Sequence, residues 1–462
     1  MARNAYKSPA YTKLDEFVFG TAKNPVKLKN GMVIGGGTIY PELNFTVPTM
    51  KLTDDTWSDA IACYTEIITK TCERARELEV PGFVAEIETL PEMTFKPKWA
   101  IEVCKVVVDI IKEHESKYGI KGAVRITPND NREGDAVDHM WRGPRWDETM
   151  EAFEGSAKAG ADFLAIETIG GKEVHDDALM FCNIKQDVFA YAALACRDME
   201  KIWSHIVDIA GKFGGVPAGD TACGLANTAM VLAEKNYIPR VFAAADRVMS
   251  SVRSLVAMEV GAKGPDKDCG YEGPYVKAIS GNPISMEGRV ASCAHLSACG
   301  NIAVCVADLW SNESVQNIQL LSGIAPVASF ETLAYDCRLM NTAKKKSNEA
   351  ALLLRDLNAD SDSPLDPHAY ILRPDVVLEI AKGITDAGDD YYLRTKAAAA
   401  LSLGAIDKGV KDGKLKINAK EQEWLKKLID EVASLPKTLD ELAEQVLPEC
   451  DKLDPKKYDL PY

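Results

Sequence analysis

Two apolar runs in this chain each end in a side chain able to bind a metal or move a proton. Phe163-Leu164-Ala165-Ile166 leads into Glu167-Thr168, and Val216-Pro217-Ala218-Gly219 leads into Asp220-Thr221-Ala222-Cys223-Gly224. Each run reads as a buried parallel strand, so Glu167 and Cys223 fall where the chain leaves the sheet. In a β/α barrel that edge is where the chemistry is built. A carboxylate and a thiol brought to one rim suit a zinc ion that keeps an open coordination position. Singly, each has a plainer reading: a strand-end Glu as a solvent-facing or ion-paired residue, and a Cys as a small buried hydrophobe.

A third candidate is Cys269. Its surroundings, Gly264-Pro265-Asp266-Lys267-Asp268-Cys269-Gly270 with Gly273 beyond, are irregular backbone, where functional residues concentrate. If the strand before Cys223 points up, one following helix runs down and a second runs back up. That doubled helix returns Cys269 to the rim of Glu167 and Cys223. Cys293, Cys299 and Cys305, six apart, have no zinc-finger spacing but lie in the same half of the chain.

Other groups carry weaker signals. Asp220 is either a partner to the metal ligands or a turn and capping residue. His139, in Asp138-His139-Met140-Trp141-Arg142, reads as a surface histidine with substrate contact as the alternative, and His295 as a helix residue filling the core. His114, His175, His205 and His368 form no metal-ligand spacing. Gly35-Gly36-Gly37 resembles a phosphate loop, but no Lys-Ser/Thr follows, so a tight turn is expected. Lys344-Lys345-Lys346 reads as a solvated helix face.

The elements that must position these groups alternate. Val26 to Ile34 around Asn30-Gly31 predicts a hairpin. Strands are expected at 39–45, 82–88, 123–127 and 162–168, in the run ending at Cys223, and over Asn301 to Asp308. Helices are expected at 53–79, 96–118, 146–158 and 188–209, then about 227–235 and 240–260. Such alternation predicts α/β architecture with a parallel sheet. A TIM-type (β/α)8 barrel is favoured over an open doubly wound sheet because there is no dinucleotide fingerprint, although only six strands can be placed. A loop at Asn358 to Pro364 precedes charged helical segments at 376–385, 396–407, 421–435 and 438–446. The expected division is therefore an N-terminal segment and hairpin (1–37), a barrel with helical insertions (38–360) and a helical appendage (361–462).

Composition narrows the function. The 462 residues carry 69 acidic and 54 basic side chains, a net charge of −15, with no basic block for tracking phosphates. Twelve cysteines scattered without a Cys-x-x-Cys pair suggest free thiols in a reducing cytoplasm. No apolar run approaches the length of a membrane span, and the first residues lack the apolar core of a signal peptide.

The runs Gly219-Asp220-Thr221-Ala222-Cys223-Gly224 and Asp268-Cys269-Gly270-Tyr271-Glu272-Gly273-Pro274 closely resemble the methanol:corrinoid methyltransferases of methylotrophic methanogens, in particular their zinc-containing, methanol-activating subunit. Length, hairpin and acidic helical tail are similar too. The resemblance implies a TIM-type barrel holding Zn2+ through one glutamate and two cysteines, which match Glu167, Cys223 and Cys269. It implies a methyl group passed from methanol to the reduced cobalt of a corrinoid on a separate protein, and a homodimer at the centre of a hetero-oligomer. Hydroxide is a poor leaving group, so a Lewis acid on the methanol oxygen is needed. Two thiolates and a carboxylate leave the dication one net negative charge, which weakens it as a Lewis acid and puts weight on substrate alignment. The alternatives are a zinc barrel acting on a methylated amine or thiol, and a non-catalytic scaffold subunit.

Overall fold

The computed structural model describes residues 3–45, 50–134, 137–220, 223–267, 270–313 and 320–462. Asn30-Gly31 turns an antiparallel hairpin of β1 (Thr21–Lys27) and β2 (Val33–Gly36), with Leu28 N–H donating to the Met32 carbonyl at 2.9 Å. Seven further strands follow: β3 (Tyr40–Phe45), β4 (Phe83–Glu88), β5 (Gly122–Thr127), β6 (Phe163–Ile166), β7 (Val216–Asp220), β8 (Ser285–Glu287) and β9 (Leu309–Glu313). All are parallel, in the order β7-β6-β5-β4-β3-β9-β8. All six residues of β3 and of β5 are buried, as strands covered on both faces require.

Residues 263–266 close the gap between β7 and β8. Lys263 and Gly264 donate to the carbonyls of Pro217 and Ala218, both at 2.8 Å. Asp266 N–H donates to Pro283 O at 3.1 Å, and Ser285 N–H to Asp266 O at 2.7 Å, through a parallel bridge between Asp266 and Ile284. The sheet thus becomes a barrel of eight staves, the expected (β/α)8 architecture.

Helices shield the outside. Trp57–Glu77 and Pro97–Tyr118 stack Trp57 on Trp99 at 4.6 Å, and the second begins with Pro at its first position and ends on Gly119 in the left-handed conformation. The hairpin plugs the opposite end from the rim: Val26, Leu28, Met32 and Ile34 form one apolar cluster with Val84, Ala123, Phe163, Ala218 and Leu309. Helices Pro374–Asp386, Tyr391–Lys411, Ala419–Ala433 and Leu439–Val446 occupy the expected C-terminal segments.

Three expectations fail locally. Residues 301–308 are not a strand; Ile302–Val306 is a 3-10 helix, and the strand follows as β9. An apolar run buried on all sides carries no periodicity to tell the two apart. Residues 358–362 are not a loop but the end of helix Asn348–Asp362, since their polar side chains face outward or cap neighbours. Finally, the chain approaches Cys269 along the stave 263–266, not along a second rising helix. Between β7 and this stave lie the short helix Thr228–Glu234 and the long helix Arg240–Glu259.

Candidate active site

The inside of the barrel is charged from its middle to its upper rim. Arg125 on β5 donates from Nε to Glu42 Oε1 on β3 at 2.6 Å and from Nη1 to the Pro265 carbonyl at 3.0 Å. Both side chains are fully buried, so each depends on the other for its charged form. Thr127 Oγ1 donates to Glu86 Oε1 at 2.7 Å. At the rim, Lys267 Nζ hydrogen-bonds Glu167 and stands 3.5 Å from Glu86 and 3.7 Å from Glu88. One ammonium therefore faces three carboxylates. Burial drives Glu86 and Glu88 up from 4.5 to about 7 against the pull of Lys267, while the carboxylates hold Lys267 well above its usual value in spite of its burial. This rim attracts positive charge.

Glu167 directly follows β6, and β6 pairs with β7 in a register that sets Ile166 against Asp220. Cys223, three residues past β7, opens a π-helical turn, Cys223–Asn227, and is half-buried. Asn227 Nδ2 donates to its sulfur at 3.6 Å. Glu167 and Cys223 thus leave neighbouring staves on one rim. Ten other cysteines are free thiols. Cys269 and Asp268 lie outside the described residues; Lys267, two positions before Cys269, is on the rim against Glu167.

Asp220 is neither a cap nor a surface turn residue. Fully buried, it accepts from Thr168 N–H at 3.2 Å and from the Arg253 guanidinium, which also donates to Thr168 Oγ1. Its own N–H donates to Asp266 Oδ1 at 3.0 Å. Asp220 therefore ties together the chain just after Glu167, the chain just before Cys223 and the stave that leads to Cys269. Gly219 makes room for this: at φ +150°, a Cβ there would lie 2.0 Å from Asp266 Oδ1.

His139 is buried, not on the surface, and contacts Asp459 through Nε2 at 3.0 Å while Nδ1 accepts from Trp141 N–H at 3.1 Å. With Nδ1 accepting, Nε2 carries the proton, so His139 donates to Asp459 and fastens the C-terminus. His295, the last residue of helix Arg289–His295, is only half-buried. Gly35 and Gly37, at φ +79° and +111°, form the expected turn into β3. In the lysine run, Lys344 Nζ bonds Phe19 O and Thr21 Oγ1, and Lys345 and Lys346 are exposed. Sequence reasoning missed Lys267 and Arg253. Lys267 sits in the loop singled out for Cys269, but between two aspartates it reads as a solvated cation. Arg253, inside an apolar helix, had the stronger signal: a charge there needs a buried partner. A cavity of about 510 Å³ between Gly37, Pro41, Val80 and Lys344 opens at the amino-terminal end of the strands, away from these groups.

A closed parallel barrel with a carboxylate- and thiol-bearing carboxyl rim is the framework of a TIM-type barrel enzyme. Residues 3–459 match the family model of the methanol-cobalamin methyltransferase B subunit, MtaB, and the chain belongs to that family. It is 39% identical over 452 residues to the methanol–corrinoid protein co-methyltransferase of Methanosarcina barkeri (strain Fusaro / DSM 804), covering 97% of this chain and 96% of that one. It also superposes on the crystal structure of the methanol:cobalamin methyltransferase complex MtaBC from Methanosarcina barkeri with a TM-score of 0.93 and 37% identity, covering 98% of this chain and 99% of that one.

Proposed function

We propose that this protein transfers the methyl group of methanol to the reduced cobalt of a corrinoid carried by a partner protein, and that Glu167, Cys223 and Cys269 hold a zinc ion for that purpose. The observation that carries the reading is the placement of Glu167 and Cys223 at adjacent stave ends beside a rim crowded with carboxylates. The donor chemistry fits: a carboxylate and two cysteine thiolates are ligands that zinc accepts. Bound there, zinc would supply Lewis acidity toward the methanol oxygen.

The chain's own residues do the rest. Lys267 fixes the Glu167 carboxylate by a hydrogen bond and offsets the surrounding negative charge. Asp220 and Arg253 hold the loop after Glu167 in place. Glu86 and Glu88, raised to about 7, hold protons near neutral pH beside the site. The family and the structural match to a complex with its corrinoid subunit support a hetero-oligomeric partner, and a homodimeric core is part of the same reading. Residues 361–462 are assigned to an appendage that packs on the barrel. No helix among the described residues is long and apolar enough to cross a membrane, and the scattered thiols support a reducing, cytoplasmic setting.

The test is metal analysis of protein purified under thiol reductant, followed by methanol-dependent methylation of Co(I) cobalamin, read from its absorption. One zinc per rim site and methylation that requires it are expected, both lost in Cys223→Ala and Cys269→Ala. Zinc with no response to methanol would shift the substrate to another methylated compound. Wild-type methylation by a variant carrying both substitutions, and so without rim zinc, would overturn the assignment.

A further inference from the structure

Three fully buried side chains other than the proposed zinc ligands converge: His175 on helix Lys172–Phe181, Asp187 on helix Ile184–Phe189 and Asp246 on helix Arg240–Glu259. One donor atom from each lies within 4.8 Å of the others. His175 Nε2 is 2.8 Å from Asp246 Oδ1 and 3.7 Å from Asp187 Oδ1, and Tyr191 OH donates to Asp246 Oδ1 at 3.0 Å. With both groups ionised, neither oxygen of Asp187, nor Oδ2 of Asp246, has a hydrogen-bond donor, and only a proton shared between the two aspartates would join them. Among the described residues no Lys or Arg forms an ion pair with either aspartate; His175 alone does. A buried carboxylate left without a donor or a counter-charge is strongly unfavourable unless something satisfies it.

We propose that His175, Asp187 and Asp246 form a second metal site, for a divalent first-row transition metal such as Zn2+, with none of the rim ligands. Two carboxylates and a neutral imidazole give a dication an electrically neutral environment, and imidazole among the donors favours this class over Mg2+ or Ca2+. Metal–donor bonds of about 2.0–2.2 Å call for donors roughly 3–4 Å apart, so the observed cluster closes on an ion with shifts below about 1 Å. Tyr191, which contacts two of the three ligands, lies in a π-helical segment, Ala190–Ala195; such bulges recur at functional sites.

The site's role follows from its elements. It clamps helices Lys172–Phe181 and Ile184–Phe189 onto helix Arg240–Glu259, and that last helix carries Arg253, the partner of Asp220 and Thr168. Metal binding there would be folding energy delivered to the wall of the rim site.

The experiment uses the full chain with the rim ligands removed, C223S/C269S, loaded with Zn2+ or Co2+ and dialysed. One equivalent of metal is expected to remain, against two in the wild type. The cobalt form should show d–d bands without thiolate charge transfer. D187N and D246N, which keep shape and volume, should abolish retention in this background, and chelation should lower the melting temperature of C223S/C269S but not of its D187N derivative. Loss of all metal from C223S/C269S, or retention undiminished by D187N, would overturn the proposal. Failure of the rim assignment looks different: the wild type would then hold one equivalent that C223S/C269S keeps.

Discussion

Asp220 shows how much of this site depends on a residue that need not touch substrate. Its carboxylate bonds the residue after Glu167, its N–H bonds the stave leading to Cys269, and Cys223 follows three residues later. Asp220→Asn keeps the shape but leaves Arg253 with only the more distant Glu272 as an anionic partner. Metal affinity at the rim should fall about 10–100-fold, as losses around metal ligands do, measurable by competition with a chromophoric chelator. The same variant carries a pH signature. Burial raises Asp220 from 3.8 to about 6 although Arg253 pulls it down. A group whose folded pKa is raised gives its full stabilisation below its unfolded pKa and loses it as pH climbs through the folded one. Wild-type stability should therefore decline relative to D220N from about pH 4 to about pH 6, with the curves parallel above that window. Urea denaturation across pH 4–7 checks this; curves parallel throughout would mean that Asp220 stays ionised. At this scale the sequence was informative about Glu167 and Cys223, because each ends an apolar run. It was nearly silent about Asp220's partner, because Arg253 comes from a distant helix.

At the scale of elements, legibility tracked hydrophobic contrast. β4 (Phe83–Glu88), β5 (Gly122–Thr127) and β6 (Phe163–Ile166) stand out as apolar runs between polar helical faces. The stave 263–266, Lys-Gly-Pro-Asp, has the composition of a turn and is held by hydrogen bonds to β7 on one side and to Pro283 and Ser285 on the other. β8 is three residues long. Such staves are set by their neighbours, so no pattern along the chain announces them. Gly219 is where this dependence is sharpest. A methyl group added there meets Asp266 Oδ1 at 2.0 Å and Met258 Cε at 2.8 Å, on a backbone that already favours glycine. Gly219→Ala should force β7 and the stave apart, destabilising the fold by about 1–3 kcal/mol by denaturant titration and lowering methylation more than thermal stability alone explains. Unchanged stability would show that the Asp266 side chain can swing away. At the plugged end, Met32→Ala opens a cavity among Val84, Ala123 and Phe163 and should cost about 2–5 kcal/mol, with activity per folded molecule preserved.

For the molecule as a whole, the C-terminus belongs to the site, although its sequence marks it only as charged and helical. The last turn, Pro455–Tyr458, folds back over the loops that follow β5 and β6. Tyr458 OH accepts from Gly171 N–H at 2.9 Å and donates to Glu173 Oε2 at 3.1 Å, Lys457 O accepts from Met140 N–H at 3.1 Å, and Asp459 is held by His139. Gly171 lies four residues after Glu167, so the end of the chain braces the same loop that Asp220 braces from below. The intervening Ile169 N–H is held in turn by Asp130, whose partner Arg132 reaches Asp198 at 2.7 Å. Deleting residues 455–462 should leave the barrel folded by circular dichroism yet reduce rim metal affinity and methylation about tenfold or more, because the loop carrying Glu167 loses its upper support. Tyr458→Phe removes only the hydroxyl and should cost about 1–3 kcal/mol through the buried Gly171 N–H it leaves unsatisfied, with a smaller loss of activity. If the truncated chain instead matched wild type in metal affinity, the loop after Glu167 would be fixed by Asp220, Arg253 and Asp130 alone.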